Sequence, residues 1–276
     1  MSVDMGSQNK FSTNTTMKNS NDTKSSSMSC VFCENFDKKL GGGTREFFAL
    51  CPALSTAGQV LDVSENFVLI PDIAPLTNDH LLLVSRFHYN SFASIPRSIV
   101  HEAESIIERI LIRMKEYHPT SELFAFEHGA GRIGDQIIQC GTCNSTDHAH
   151  LHLLPLPASK LDNGGIASLL VDELKTLGLR QETISPLPDL SLENIVRGKP
   201  YLFLWSNRES KSHVLIQETI GCIIPSQILR RMLAIRALGL QENQSELWDW
   251  RNLYMLFPRQ VSDSITTTVQ RWLLNR

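Results

Sequence analysis

No stretch of this 276-residue chain approaches the roughly 20 consecutive apolar residues that a bilayer-spanning helix needs. The N-terminus lacks the apolar core that a secretory signal requires. Neither sign of charge is in excess, since 26 basic and 29 acidic residues give a formal net charge of −3. General binding to nucleic-acid backbone needs a basic footprint, and none is present. Cysteine is sparse, at six residues. The absence of export and membrane signals leads us to expect a cytoplasmic protein, whose thiols stay reduced. The cysteines are therefore not read as a disulfide framework. No internal repeat is found.

What is present divides into three spans. Residues 1–28 are rich in Ser, Thr and Asn and poor in large apolar side chains. Such a segment buries too little surface to offset its ordering entropy, and we expect a disordered leader. Residues 29–158 read as an α+β unit. Gln59–Val63, Phe67–Pro71, His80–Ser85, Leu123–Phe126 and His148–Leu154 have the composition of short strands. Pro155 and Pro157 are expected to end the last of them. Ile99, Ala103, Ile106, Ile107, Ile110, Met114 and Tyr117 recur at helical spacing, with Pro96 suited to the first turn and Pro119 blocking continuation.

Residues 159–276 differ in character and read as a C-terminal α/β extension packed on the first unit. Helices are expected at Ile166–Leu177, from Pro225-Ser226-Gln227 to about Ala237, and at about Asp263–Leu274. Tyr201–Trp205 and His213–Gln217 read as a hairpin. Arg230 and Arg231 are expected at the surface, with anion binding as the alternative. Trp248 and Trp250 are expected to pack.

The strongest chemical signal is His148-Ala149-His150-Leu151-His152-Leu153-Leu154. In a strand the three histidines would share one face, with Ala149, Leu151 and Leu153 turned to a core. Three readings follow: an ordinary polar strand face, a His-x-His metal site, or three imidazoles serving catalysis near neutral pH. Cys30-Val31-Phe32-Cys33 suggests metal or redox chemistry in a reduced compartment. Cys140-Gly141-Thr142-Cys143 is a second such pair.

The pattern His148 to Leu154 resembles the signature of the histidine triad (HIT) family, His-φ-His-φ-His-φ-φ with φ apolar, at every position. Phe67-Val68-Leu69-Ile70-Pro71-Asp72 and Asp79-His80-Leu81-Leu82-Leu83-Val84 resemble its upstream strands, with Asp79 standing where the family has Gly. His88 falls where many members have a His. The resemblance covers about residues 30–158. It implies an antiparallel sheet with a long helix, and a nucleotide substrate. His150 would attack the α-phosphorus and His152 would donate to the phosphate. Asp72 would bind ribose. Asn144 and Ser145, in place of the family's usual Gln-Ser, would contact phosphate, and His128 would contact substrate or supply a proton.

The resemblance also implies one structural zinc ion on Cys30, Cys33, His88 and His148. A Cys₄ site that includes Cys140 and Cys143 is the alternative. His152, where related transferases carry Gln, favours hydrolysis of diadenosine polyphosphates or nucleoside phosphoramidates. The rivals are a nucleotidyl transferase or phosphorylase, and a nucleotide-binding regulator without turnover. Short members complete their site by dimerising, which leaves room for a homodimer.

Overall fold

The computed structural model describes residues 30, 32–33, 60–133, 136–138, 148–160, 165–178, 184–195, 198–209, 211–216, 224–241, 243–244 and 247–274. The leader lies outside them, as do Cys140, Cys143, Asn144 and Ser145. In chain order the elements are β1 (Asp62–Val63), β2 (Phe67–Pro71), β3 (Leu81–Ser85), α1 (Arg97–Tyr117), β4 (Ser121–Gly129), β5 (Gly131–Ile133), β6 (Gln136–Ile138) and β7 (His150–Pro157). There follow α2 (Gly165–Thr176), β8 (Ile184–Pro188), β9 (Tyr201–Ser206), β10 (Lys211–Ile216), α3 (Ile228–Met232, extended by a π-helical turn over Leu233–Ala237), α4 (Trp250–Leu256) and α5 (Pro258–Leu274). No helix among the described residues is long and apolar enough to cross a membrane.

The fold is α+β. Eight strands form one sheet in the order β1-β2-β3-β7-β4-β9-β10-β8, and the strand pairs are antiparallel. The second half of the chain enters this sheet through β9, which pairs with β4 from Phe124↔Ser206 to Gly129↔Tyr201. β2, β3 and β9 are buried along their whole length. Strands covered on both faces read as continuous apolar runs, and these do.

Alternation sorts the side chains onto two faces. Phe67, Leu69, Leu81, Leu83, Leu151, Leu153, Leu123, Ala125, Tyr201 and Phe203 meet the apolar stripe of α1, whose Val100, Ala103, Ile106, Ile107, Ile110 and Met114 are buried. On the opposite face Phe124, Phe126, Leu154, Leu156, Leu202 and Leu204 pack under α2 and α3. Nearer β2, Val68, Ile70, Leu82 and Val84 pack with Phe32. The seam between these last two clusters is where β7 presents its histidines.

Several elements differ from expectation: β1 is confined to Asp62–Val63, and β4 runs from Ser121 to Gly129 rather than Leu123 to Phe126. β7 runs on through Pro155 and Pro157. The amide and carbonyl of Leu123, opposite Pro155, bond to Asn207 on the β9 side. The imide nitrogen of Pro155 therefore faces the other edge, where β3 has already ended at Leu81↔Leu153. A missing N–H costs nothing there. β8, which the sequence did not signal, contains Pro186 and Pro188 and pairs with β10 at the sheet edge, where proline is tolerated. The last helix starts at Pro258, five residues before the expected Asp263, with proline in the first-turn position that its fixed φ suits.

Candidate functional site

β7 sits between β3 and β4, with Val84↔His150, Leu82↔His152 and Phe126↔His152 as cross-strand pairs. His150 and His152 thus project into the seam from one strand face, ring centroids 5.2 Å apart. His148 lies just ahead of the strand, where the Ala149 amide bonds to the Tyr89 carbonyl.

The His150 ring is oriented by its own chain. Nδ1 lies 2.7 Å from the His148 carbonyl oxygen, which only accepts, so Nδ1 carries the proton. Nε2 is left with a free lone pair. Burial, reinforced by nearby His152, pushes the pKa down to about 3. His150 is therefore a neutral base with a fixed tautomer at physiological pH.

Behind it, His152 lies flat on Phe126, centroids 4.4 Å apart and planes 7° from parallel. Its Nδ1 is 3.2 Å from Asp72 Oδ2 and 3.1 Å from His80 Nε2. His80 Nδ1 accepts the Leu76 amide at 3.2 Å, so the neutral His80 ring carries its proton on Nε2, which points at this group. Asp72 Oδ1 accepts the Ala74 amide at 2.7 Å. Asp72 Oδ2 also accepts Arg230 Nη1 at 3.2 Å. Burial opposes ionisation of Asp72, but His80, Arg230 and His152 hold its pKa well below the usual carboxylate range. Burial holds His80 and His152 below the ordinary histidine value.

Asp72, His80 and His152 bring three ligand-type atoms together. They do not suit a metal. The His80 nitrogen that faces inward is protonated, and the Arg230 guanidinium occupies the carboxylate oxygen a cation would need.

The second cluster does suit one. Cys30 Sγ lies 3.4 Å from His148 Nδ1, and Cys33 Sγ lies 3.6 Å from His148 Nδ1 and 3.2 Å from His88 Nδ1. All four ligand atoms fall within 4.8 Å of one another. A tetrahedral ion with bonds of about 2.0 Å to nitrogen and 2.3 Å to sulfur requires donors spaced roughly 3.3–3.8 Å apart. His148 is prepared for this role, because its Nε2 donates to the Ser85 carbonyl at 2.7 Å and leaves the Nδ1 lone pair toward the thiols. Burial holds the His148 pKa near 4, so the ring is neutral.

Other expected site residues lie as follows. His128 is half-buried on β4, follows Phe126 on the same strand face, and has its pKa lowered to about 4 by burial. Arg230 is not at the surface as expected. It is 4% exposed, with Nη2 on the Ala74 carbonyl at 2.5 Å and Nε on the Trp248 carbonyl at 3.2 Å. Arg230 is separated from Asp72 by 158 positions, and nothing in the local sequence could have joined them. His118, just past α1, bonds through Nε2 to buried Asp79 at 2.6 Å.

Glu127 carried no signal in the sequence. It points to the α1 face and is fully buried. It accepts the Phe92 amide at 3.0 Å and the Tyr201 hydroxyl, while the Ala93 amide donates to Tyr201 Oη at 3.1 Å. The carboxyl also accepts a backbone bond from His150, and burial raises its pKa to about 8. Gly129 makes room for this group, since a Cβ there would lie 2.2 Å from the Tyr201 ring.

No protein-family model matches the chain, and no curated protein matches it. Its structure is similar to that of a hypothetical histidine triad nucleotide-binding protein from Sulfolobus tokodaii, at 18% identity over 46% of this chain and 68% of that one, TM-score 0.29. It is also similar to a HIT family protein from Bacillus anthracis, at 22% identity over 46% of this chain and 72% of that one, TM-score 0.29. A third is the yeast Ap4A phosphorylase Apa2 in complex with Ap4A, at 14% identity over 79% of this chain and 81% of that one, TM-score 0.38. Likenesses with these scores leave the chemistry to be argued from the residues themselves.

Proposed function

We propose that the chain is a nucleotide hydrolase that cleaves at the α-phosphorus through a nucleotidyl-histidine intermediate. One observation carries this: His150 has its proton fixed on Nδ1 by the His148 carbonyl, leaving a neutral Nε2 lone pair beside a second imidazole. Such a ring attacks phosphorus without first losing a proton. The Nε2–P bond forms as the bond to the leaving group breaks, and the leaving group takes a proton. Water then cleaves the Nε2–P bond, releasing the nucleoside monophosphate and restoring His150.

His152 is the neighbouring proton donor or acceptor of this reading, and Asn144, Ser145 and His128 its nucleotide contacts. Asp72 was expected at the ribose. The donors gathered on its carboxylate favour a role in orienting His152. The substrate class is a diadenosine polyphosphate or a nucleoside phosphoramidate. Cys30, Cys33, His88 and His148 would hold Zn²⁺ as a closed four-ligand set, which would tie residues 30–33 to the start of β7 and leave His150 free.

The test is intact-mass analysis of the full chain quenched during turnover of diadenosine tetraphosphate or adenosine 5′-phosphoramidate. A nucleotidyl adduct is expected on wild type and absent from His150→Ala, whose turnover falls by several orders of magnitude. Near-wild-type turnover by that variant refutes the mechanism. Repeating the reaction with inorganic phosphate separates hydrolysis from phosphorolysis by product.

A further inference from the structure

We propose that Glu127 is a positioning residue for His150: where β7 parts from β4, its carboxyl takes the His150 amide in place of a strand carbonyl and fixes the main chain that aims the ring. What this does for catalysis rests on the reading of His150 as the nucleophile.

The alternation of main-chain groups along β7 creates the need. The Ser85 amide donates to the Ala149 carbonyl, so odd-numbered residues of β7 turn their main-chain groups to β3 and even-numbered ones turn theirs to β4. Pairing with β4 ends at Phe126↔His152, although β4 itself runs on beside β9 to Gly129. Continued register would set His150 opposite His128, but no pair forms there. A buried amide left without an acceptor is costly. The Glu127 carboxyl supplies the acceptor. A ladder bond to His128 would hold the amide as well, but only with β4 closed against β7 beside the His150 ring. A side-chain acceptor holds it with the strands apart.

The ring follows the main chain. His150 Nδ1 donates to the His148 carbonyl at 2.7 Å, so a rotation of the backbone at 148–150 carries Nε2 with it. Three bonds hold that backbone: the Ala149 amide to the Tyr89 carbonyl at 2.5 Å, the Ser85 amide to the Ala149 carbonyl at 3.1 Å, and the His150 amide to Glu127. The first two act from the β3 side, and Glu127 alone of the three acts from the β4 side. Glu127 is itself aimed. The Phe92 amide lies 3.0 Å from one carboxyl oxygen and 3.2 Å from the other. The Tyr201 hydroxyl, on β9, donates to the carboxyl and is held in turn by the Ala93 amide at 3.1 Å. The C-terminal part of the chain thus reaches the His150 backbone from the face opposite the ring.

The experiment uses the full chain. Without substrate, ¹H–¹⁵N spectra follow hydrogen exchange in wild type, Glu127→Gln and Glu127→Ala. The His150 amide is expected to exchange about tenfold faster or more in Glu127→Ala. Leu151 and Leu153, paired with β3, are expected to keep wild-type rates. Glu127→Gln, which retains an acceptor oxygen, is expected to stay near wild type. With diadenosine tetraphosphate, Glu127→Ala is expected to form the nucleotidyl adduct about tenfold more slowly or worse, with KM changed less than about threefold, since a 1 Å misplacement can cost about 10²-fold. Glu127→Gln is expected to recover most of that rate. A folded Glu127→Ala chain with wild-type exchange at His150, or with wild-type adduct formation, overturns the proposal. If that variant does not fold, the wild-type chain decides. A through-hydrogen-bond correlation from the His150 amide nitrogen to the Glu127 carboxyl carbon is expected, and its absence, or a correlation to a main-chain carbonyl instead, overturns the proposal. Failure of the nucleotidyl-histidine mechanism would appear as no adduct on wild type and leave the exchange pattern unchanged.

Discussion

Glu127→Gln should change how stability depends on pH between 6.5 and 8. In the folded chain the Glu127 carboxyl stays protonated up to about pH 8, while in the unfolded chain it ionises near its ordinary value of 4.5. Across that interval the unfolded state holds fewer protons, so stability is fully present below about pH 4.5 and falls as pH rises toward 8. The slope is about 1.4 kcal/mol per pH unit. His128, His148 and His150 act in the opposite sense. Their folded pKa values of about 4, 4 and 3 lie below the unfolded 6.5, so they cost stability as pH falls under 6.5. Above pH 6.5 they finish titrating only in the unfolded chain, and that contribution is the same for both chains and cancels in their difference.

The interval from 6.5 to 8 therefore isolates Glu127 and is worth about 2 kcal/mol. Glutamine keeps the shape and an acceptor for the Phe92 amide and Tyr201 hydroxyl, and it does not titrate. Urea unfolding of both chains at half-unit steps should give a difference in unfolding free energy that shifts by about 2 kcal/mol in favour of the variant between pH 6.5 and 8. Contributions common to both chains, including those of the cysteines, cancel in the difference. A difference that stays flat across the window would show that Glu127 is ionised in the folded chain, and the account of the Tyr201–Glu127 group would be wrong.

Purified chain is expected to carry about one Zn²⁺, and Cys33→Ser to lose metal and melting temperature together, because binding free energy at such a site is folding free energy; elemental analysis beside a thermal melt checks this, and zinc that survives loss of both Cys30 and Cys33 refutes the assignment. Truncation after Ser159 removes β9, uncovers the long edge of β4, and exposes Phe124, Phe126, Leu154 and Leu156. Insoluble or inactive protein is expected, and a soluble, fully active fragment of residues 29–159 would contradict it.

Much of the first unit was legible because its signals are local. The stripe from Ile99 to Tyr117 matches the buried face of α1, with helix bounds at Arg97 and Tyr117. The alternation after His148 placed His150 and His152 on one face and Leu151 and Leu153 in the core. Asp79 was noted only as standing where the family has Gly. The structure gives it φ 62, a left-handed conformation that Asp tolerates better than most residues, and uses its carboxylate to bond His118 and, at 2.6 Å, Arg271 of α5.

Periodicity and spacing thus determined which residues enter a strand or helix and which way they point, since those follow from backbone geometry over a few neighbours. Tertiary structure alone decided that Arg230 lies buried against Asp72 and that Glu127 meets Tyr201 on the α1 face of the sheet. These depend on groups 158 and 74 positions apart. Burial turns such meetings into fixed proton positions, because a charge or donor taken out of water must find its partner in the protein.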